Sequence, residues 1–477
     1  MFSIMSADDA VAFIKDGDVI GINSFLALAN PNALHTALAK RFKATGHPRE
    51  LELFCESGFG GWDESLFADQ YVSAGAVRKI VASHFMSTPS VMRMARENQI
   101  ECYCMPLGVL SHALRAAAGG SRVLLSKVGL NIFVDPRLDG PGLNAISKEQ
   151  LVHVVSVEGK DYLLYDTPRI DIAFIKGTSA DPSGNITFEN EFVTADALSM
   201  AQTTKSNGGK VLVQVEKLSH VYARPRSVII PGALVDAIVV CDELPPLQQY
   251  NPVLSGDIHV PPAHMDYWLE KLSVLDKLDK RGEDMSADII GKRAARELKK
   301  GDIVNIGIGI PEKVGQYASE AGVLRDLTLT VEAGGFGGLP APGVSFGATI
   351  GSDMVCDVAA QFDFYDGGGL DVCFMGALEV DMLGNVNAHK LSERYAGIGG
   401  FANITGATKN IVFCLMFSAK GLCVKTDNTG VHIEKEGSLL KFRREINAIS
   451  FSAKNAIANG QNVIYVTERC VFKLTPN

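Results

Sequence analysis

Runs such as Ile411 to Met416, and Val235 to Cys241 broken only by Asp236, carry no regular polar alternation. Such runs predict strands covered on both faces, and parallel sheets flanked by helices are where strands of that kind occur. Helical spacing lies between them: Ile290, Ala294 and Leu298 recur every fourth residue and mark one face of a helix. The pattern predicts an α/β protein.

The same pattern is present twice. Met5-Ser6-Ala7-Asp8 near the start returns as Met285-Ser286-Ala287-Asp288, each supplying a serine expected to cap a helix. Gly17-Asp18-Val19-Ile20 returns as Gly301-Asp302-Ile303-Val304, a helix stop leading into a buried strand. Leu51 to Glu56, followed by Gly58-Phe59-Gly60-Gly61, is echoed by Leu327 to Glu332, followed by Gly335-Phe336-Gly337-Gly338. Asp171 to Ile175 with Asp181-x-x-Gly184-Asn185 matches Asp371 to Met375 with Asp381-x-x-Gly384-Asn385.

The offsets between copies fall from 284 (Asp18 to Asp302) through 276 (Glu56 to Glu332) to 200 (Asp171 to Asp371). The first copy therefore holds an insertion of about 76 residues, mostly around 95–160. The expectation is two open α/β domains of similar topology, 1–241 and 285–477, arising by internal duplication. A proline- and charge-rich linker over 242–284 joins them. The cleft between such halves is a natural place for a ligand.

Composition narrows the class. The chain has 477 residues, 47% hydrophobic and 21% charged, which leaves no room for a long disordered region. A net charge of -9 without a basic cluster beyond Lys441, Arg443 and Arg444 argues against nucleic acid and for a small-molecule partner. Residues 1–18 lack the basic start and apolar stretch of a signal peptide, and no apolar run is long enough to cross a bilayer. Nine scattered cysteines suit a reducing compartment, so a cytoplasmic location is expected. Cys102 and Cys104 lack a second pair at zinc spacing and read as strand residues on one face.

Few residues carry candidate chemistry. Glu332 ends a run of β-formers and precedes Ala333-Gly334-Gly335, and side chains at strand C-termini of open α/β sheets face the ligand crevice. The alternative for Glu332 is a surface turn cap, and Glu56 is its counterpart in the first copy. Gly307-Ile308-Gly309-Ile310-Pro311 is a strand-to-helix glycine turn that could present N–H groups to an anion, or simply pack tightly. Gly397 to Phe401 is a second such turn, readable as an oxyanion hole or a plain loop. Lys420 follows a strand where a cation could meet phosphate or stay solvated. Neither a metal-hydrolase histidine motif nor a Gly-x-Ser-x-Gly elbow is present.

Taken together, these segments resemble family I coenzyme A transferases, most closely the single-chain acetate/propionate (acyl-CoA:acetate/3-ketoacid) branch. The resemblance rests on Thr330-Val331-Glu332-Ala333-Gly334, Gly337 to Ala341, Gly343 to Ala348, Gln361 to Asp371, Gly384 to Asn387 and Gly397 to Phe401. Gly177-Thr178 with Asp181 to Asn185, and Tyr465 to Phe472, continue it, so it covers essentially the whole chain. Val128 to Pro136 departs from the usual Gly-Thr-Phe before Asp-Pro, a change that bears on acyl specificity. The stretch after Asp236 is also atypical, and relative to this branch the chain is short after Leu474-Thr475-Pro476.

The resemblance implies that Glu332 is the nucleophile, forming first an acyl-glutamyl anhydride and then a glutamyl-CoA thioester. It implies an oxyanion site at Gly399 and Gly400, a coenzyme path along Gly307, Ile308, Gly309, Ile310 and Pro311, and a phosphate contact at Lys420. CoA is then substrate and covalent intermediate, with no permanently bound cofactor and no metal. The implied partners are acyl-CoA and carboxylate substrates and further copies of the chain in a dimer or tetramer, without nucleic acid or membrane. Glu56 would be structural or line the acyl pocket. A CoA-ester hydrolase, a 3-oxoacid CoA-transferase and, remotely, a non-enzymatic sensor would share the scaffold.

Overall fold

Each half of the chain builds one eight-stranded sheet. The structure, a computed structural model, describes residues 2–243, 257, 260, 284–341, 345–392 and 394–476. We number only the strands of the two large sheets. The first half contributes β1 (Ser3–Ile4), β2 (Val19–Ile22), β3 (Leu51–Phe54), β4 (Val77–Ala82), β5 (Glu101–Cys104), β6 (Ile172–Lys176), β7 (Lys210–Val215) and β8 (Ala237–Val240). They run in the order β1-β8-β7-β6-β2-β3-β4-β5, parallel throughout.

The second half contributes β9 (Ile303–Ile306), β10 (Thr328–Thr330), β11 (Gly335–Phe336), β12 (Met354–Val355), β13 (Val372–Gly376), β14 (Asn410–Cys414), β15 (Asn462–Val466) and β16 (Val471–Lys473). Their order is β12-β11-β10-β9-β13-β14-β15-β16. The five central strands are parallel, whereas β11, β12 and β16 pair antiparallel and make the edges.

The duplication extends to register. The order β3-β2-β6-β7-β8 corresponds to β10-β9-β13-β14-β15. Ile20 opposes Ile172 as Val304 opposes Val372, and Ile20 opposes Leu53 as Val304 opposes Leu329. Asp171 accepts the Val19 N–H at 3.0 Å and Asp371 accepts the Ile303 N–H at 3.0 Å. Asp181 and Asp381 each fold the following turn onto their carboxylate, taking the N–H groups of Ser183 and Asn185, and of Leu383 and Asn385. Repeated aspartates thus repeat because they make the same bonds.

The two serines differ. Ser6 caps Ala7–Val11 by accepting the Asp9 N–H, as expected. Ser286 does not cap: it is the first residue of helix Ser286–Ala294, and its hydroxyl is drawn to Asp284 at 2.7 Å. That helix ends at Ala294, a 3-10 turn follows, and Leu298 packs from beyond the helix end. The extra length of the first half forms β5, helix Leu107–Ala118 and a three-stranded antiparallel sheet, Val123–Ser126, Val152–Val157 and Lys160–Asp166. Most of 242–284, the expected linker, lies outside the described residues, as do Gly343 and Val344.

Helix Leu107–Ala118 docks the halves together. Gly108 lets its backbone approach so closely that a Cβ would lie 2.4 Å from Phe362, and its N–H donates to Asn403 at 3.2 Å. One and two turns on, His112 meets Asp363 at 2.9 Å and Arg115 meets Asp357 and Asp363 at 2.8 and 3.0 Å. A single apolar cluster runs from Ala10 in the first half to Tyr465 in the second. The halves share a core, and the cleft between them is held in place.

Candidate active site

At the end of β10 the chain reverses through Val331 to Gly335, whose backbone groups close on each other at 2.9 and 3.0 Å. Gly334 has φ +114°, and a Cβ there would stand 1.9 Å from the Cys356 carbonyl oxygen, so only glycine fits. This turn swings Glu332 into the cleft between the halves, where it is partly buried. Burial raises its pKa to about 7, opposed by the Gly400 N–H, which donates to the carboxylate. Behind it, Asn305 donates to the Thr330 carbonyl and the Tyr365 hydroxyl, and Tyr365 donates to Thr330 Oγ1 at 3.1 Å. The strand end that carries Glu332 is therefore braced.

The second glycine turn crosses from the other side. Gly399 donates its N–H to Ser83 at 2.9 Å and accepts from Leu107 at 2.9 Å, while Phe85 donates to Ala396 at 3.0 Å. The turn is thus sewn to the first half. Of the pair Gly399 and Gly400, the Gly400 N–H faces Glu332 and the Gly399 N–H is already committed to Ser83. A Cβ on Gly400 would lie 2.8 Å from Glu332 Cδ and 2.8 Å from Phe362.

The cleft holds about 320 Å³. Gly307, Ile308 and Ile310 line it, at the turn from β9 into helix Glu312–Glu320, while Gly309 supplies a positive φ of +89° and Pro311 precedes the helix. The Gly307 N–H donates to Phe374 at 2.8 Å. Lys420 is exposed, has φ +59° and does not line the cleft. Lys441 does line it: its ammonium donates to the Ala377 carbonyl at 2.8 Å. Burial, then Arg394, lowers the Lys441 pKa to about 8 against the opposing pull of Glu379 and Glu468.

The first half supplies the opposite wall with Phe25, Leu26, Ser57, His84, Met86 and Leu107. Glu56 sits behind this wall, fully buried, both carboxylate oxygens unpaired. Burial and the neighbouring Asp196 push its pKa well up. Val128 to Pro136 is not on the wall; it packs on the second half, through Asn131 to Asn455 at 2.8 Å and the Phe133 ring on His389 at 3.8 Å. Sequence reasoning missed Lys441, Arg394 and His84, which belong to no spacing motif. Among the described residues no group of three or more His, Cys, Asp and Glu is arranged to hold a metal.

Comparison with known proteins gives a consistent result. A family model described as Coenzyme A transferase matches residues 4–241 and 287–421. The caffeate CoA-transferase of Acetobacterium woodii is 38% identical over 99% of this chain and 90% of its own length. The acetate CoA-transferase YdiF of Escherichia coli K12 is 38% identical over 99% of this chain and 87% of its own. Among solved structures, the acyl-CoA transferase YdiF apoenzyme of Escherichia coli O157:H7 superposes with a TM-score of 0.90 at 35% identity, covering 100% of this chain and 88% of that one. A thioester complex of the same protein with CoA gives 0.89, with the same identity and coverage.

Proposed function

Since the chain belongs to the coenzyme A transferase family, we propose that it moves CoA from a short-chain acyl-CoA to a carboxylic acid such as acetate or propionate, through a thioester on Glu332. The observation that supports this most is the Glu332 carboxylate, braced at a strand end, partly buried in the cleft and bonded by the Gly400 N–H.

In this reading a Glu332 carboxylate oxygen attacks the thioester carbonyl, and the carbon–sulfur bond breaks with release of CoA thiolate. The thiolate then attacks the glutamyl carbonyl of the mixed anhydride, and the acyl group leaves as a carboxylate. The acceptor carboxylate repeats the steps in reverse. One negative charge is carried throughout, so no net proton transfer is needed. Each tetrahedral intermediate at the glutamyl carbon places an oxyanion where the Gly400 N–H already points. A carboxylate is a poor nucleophile, and binding along Gly307 to Ile310 would supply stabilisation from the distant coenzyme.

The same reading takes the enzyme to be cytoplasmic and homo-oligomeric, with CoA cycling as substrate and no resident cofactor. No helix among the described residues is long and apolar enough to cross a membrane. Initial rates test the path. Varying donor and acceptor gives parallel double-reciprocal lines if a CoA-enzyme intermediate separates the half-reactions; intersecting lines contradict it.

A further inference from the structure

His84 stands just past β4 on the first-half wall of the cleft, and nothing in the transfer chemistry uses it. Its backbone is fixed: the N–H donates to Ser57 at 3.1 Å, and the residue bridges Gly397, where a Cβ would lie 2.7 Å from His84 Cα. Phe25, Leu26, Met86 and Leu107 line the same cleft, as do the polar Ser57 and Arg394. The His84 Nδ1 is buried without a hydrogen-bond partner. Burial, reinforced by the Arg394 guanidinium, holds the pKa down to about 4, so the ring is neutral at physiological pH.

A neutral imidazole carries one N–H and one lone pair. With no acceptor beside the buried Nδ1, the proton belongs on Nε2, because an orphaned N–H is harder to bury than an orphaned lone pair. The partly exposed ring thus offers an Nε2–H donor to the cleft. One glycine turn links it to the chemistry: Gly397 abuts His84, Gly400 touches Glu332, and both His84 and Glu332 line the same cleft. An acyl chain whose carbonyl lies at Glu332 would extend within this shared cleft.

We infer that His84 is a specificity-determining residue that donates from Nε2 to an oxygen substituent, hydroxyl or keto, on the acyl chain a few bonds from the reacting carbonyl. A site built to hydrogen-bond a substrate oxygen discriminates strongly against the analogue lacking it. The inference rests on the CoA-transfer reading of the cleft.

The test compares kcat/KM for 3-hydroxybutyryl-CoA and butyryl-CoA in the parent protein and in His84→Phe, His84→Asn and His84→Gln. The glutamine amide reaches the place of Nε2, whereas the asparagine amide stops near Nδ1. The hydroxylated-to-saturated ratio should fall at least about tenfold in the Phe and Asn variants and stay near the parent's in Gln. A ratio unchanged in Phe and Asn, or lost equally in Gln, overturns the assignment. Covalent CoA on the parent protein after incubation with butyryl-CoA is measured alongside. Its absence would sink the transfer reading itself, while its presence with an unchanged ratio sinks only the role of His84.

Discussion

Glu332 serves two opposed demands. Burial in the cleft raises its pKa to about 7, yet in the proposed mechanism only the ionised carboxylate would attack. The proposed nucleophile is the deprotonated form, so kcat/KM for acyl-CoA should climb through an apparent pKa near 7 as pH rises. Lys441 works in the other direction: its cation in the same cleft is lost above about 8, and kcat/KM for the acceptor carboxylate should fall there. Lys441→Met should remove that alkaline limb and leave the acid limb in place. A pH–rate profile flat between about 5 and 8 would contradict the assignment. Glu332 was legible in the sequence because β-formers leading into a glycine turn place a strand-end side chain at the crevice. Lys441 was not: it comes from a segment remote in sequence whose approach to the cleft depends on the sheet beneath it.

At the scale of elements, the position of the Gly400 N–H depends on the helix Phe401–Ala407 that follows it. Asn403 in that helix accepts the Gly108 N–H at 3.2 Å and donates to both carboxylate oxygens of Asp366 at 3.0 and 3.1 Å. It therefore pins the glycine turn of the second half to the docking helix of the first. Replacing Asn403 with Ala leaves the buried Gly108 N–H unpaired and should cost about 1–3 kcal/mol in denaturant unfolding. Activity should suffer mainly in kcat, with KM changed less, because the residue positions the Gly400 N–H, the proposed oxyanion donor. Unfolding and kcat both equal to the parent's would refute this. Elements themselves were well marked: Ile303–Ile306 forms the buried strand expected after Gly301-Asp302, and Gly307 to Pro311 leads into a helix. The Ser286 cap failed because Asp284, two residues upstream, competes for the hydroxyl. Antiparallel edges went unforeseen because β11, β12 and β16 are two or three residues long and carry no periodicity.

Over the whole molecule, the duplication leaves two corresponding glutamates; the family resemblance points to Glu332, and the physical difference between the two is visible only in three dimensions. Glu56 and Glu332 follow corresponding strands, β3 and β10, but the first-half copy is sealed behind the wall while the second-half copy opens into the cleft. Offsets in sequence revealed the two sheets and the inserted segment because repeated aspartates and apolar strands keep their register. A cleft between the halves was expected, but not which residues wall it, since that depends on how helix Leu107–Ala118 of the insertion docks on the second half. The central claim is that Glu332 takes CoA covalently within this cleft. The direct measurement is the mass of the peptide bearing Glu332 after incubation with an acyl-CoA and no acceptor. A gain equal to CoA less one water, absent in Glu332→Gln, is the predicted result; an unmodified peptide, or turnover that survives in Glu332→Ala, would contradict it.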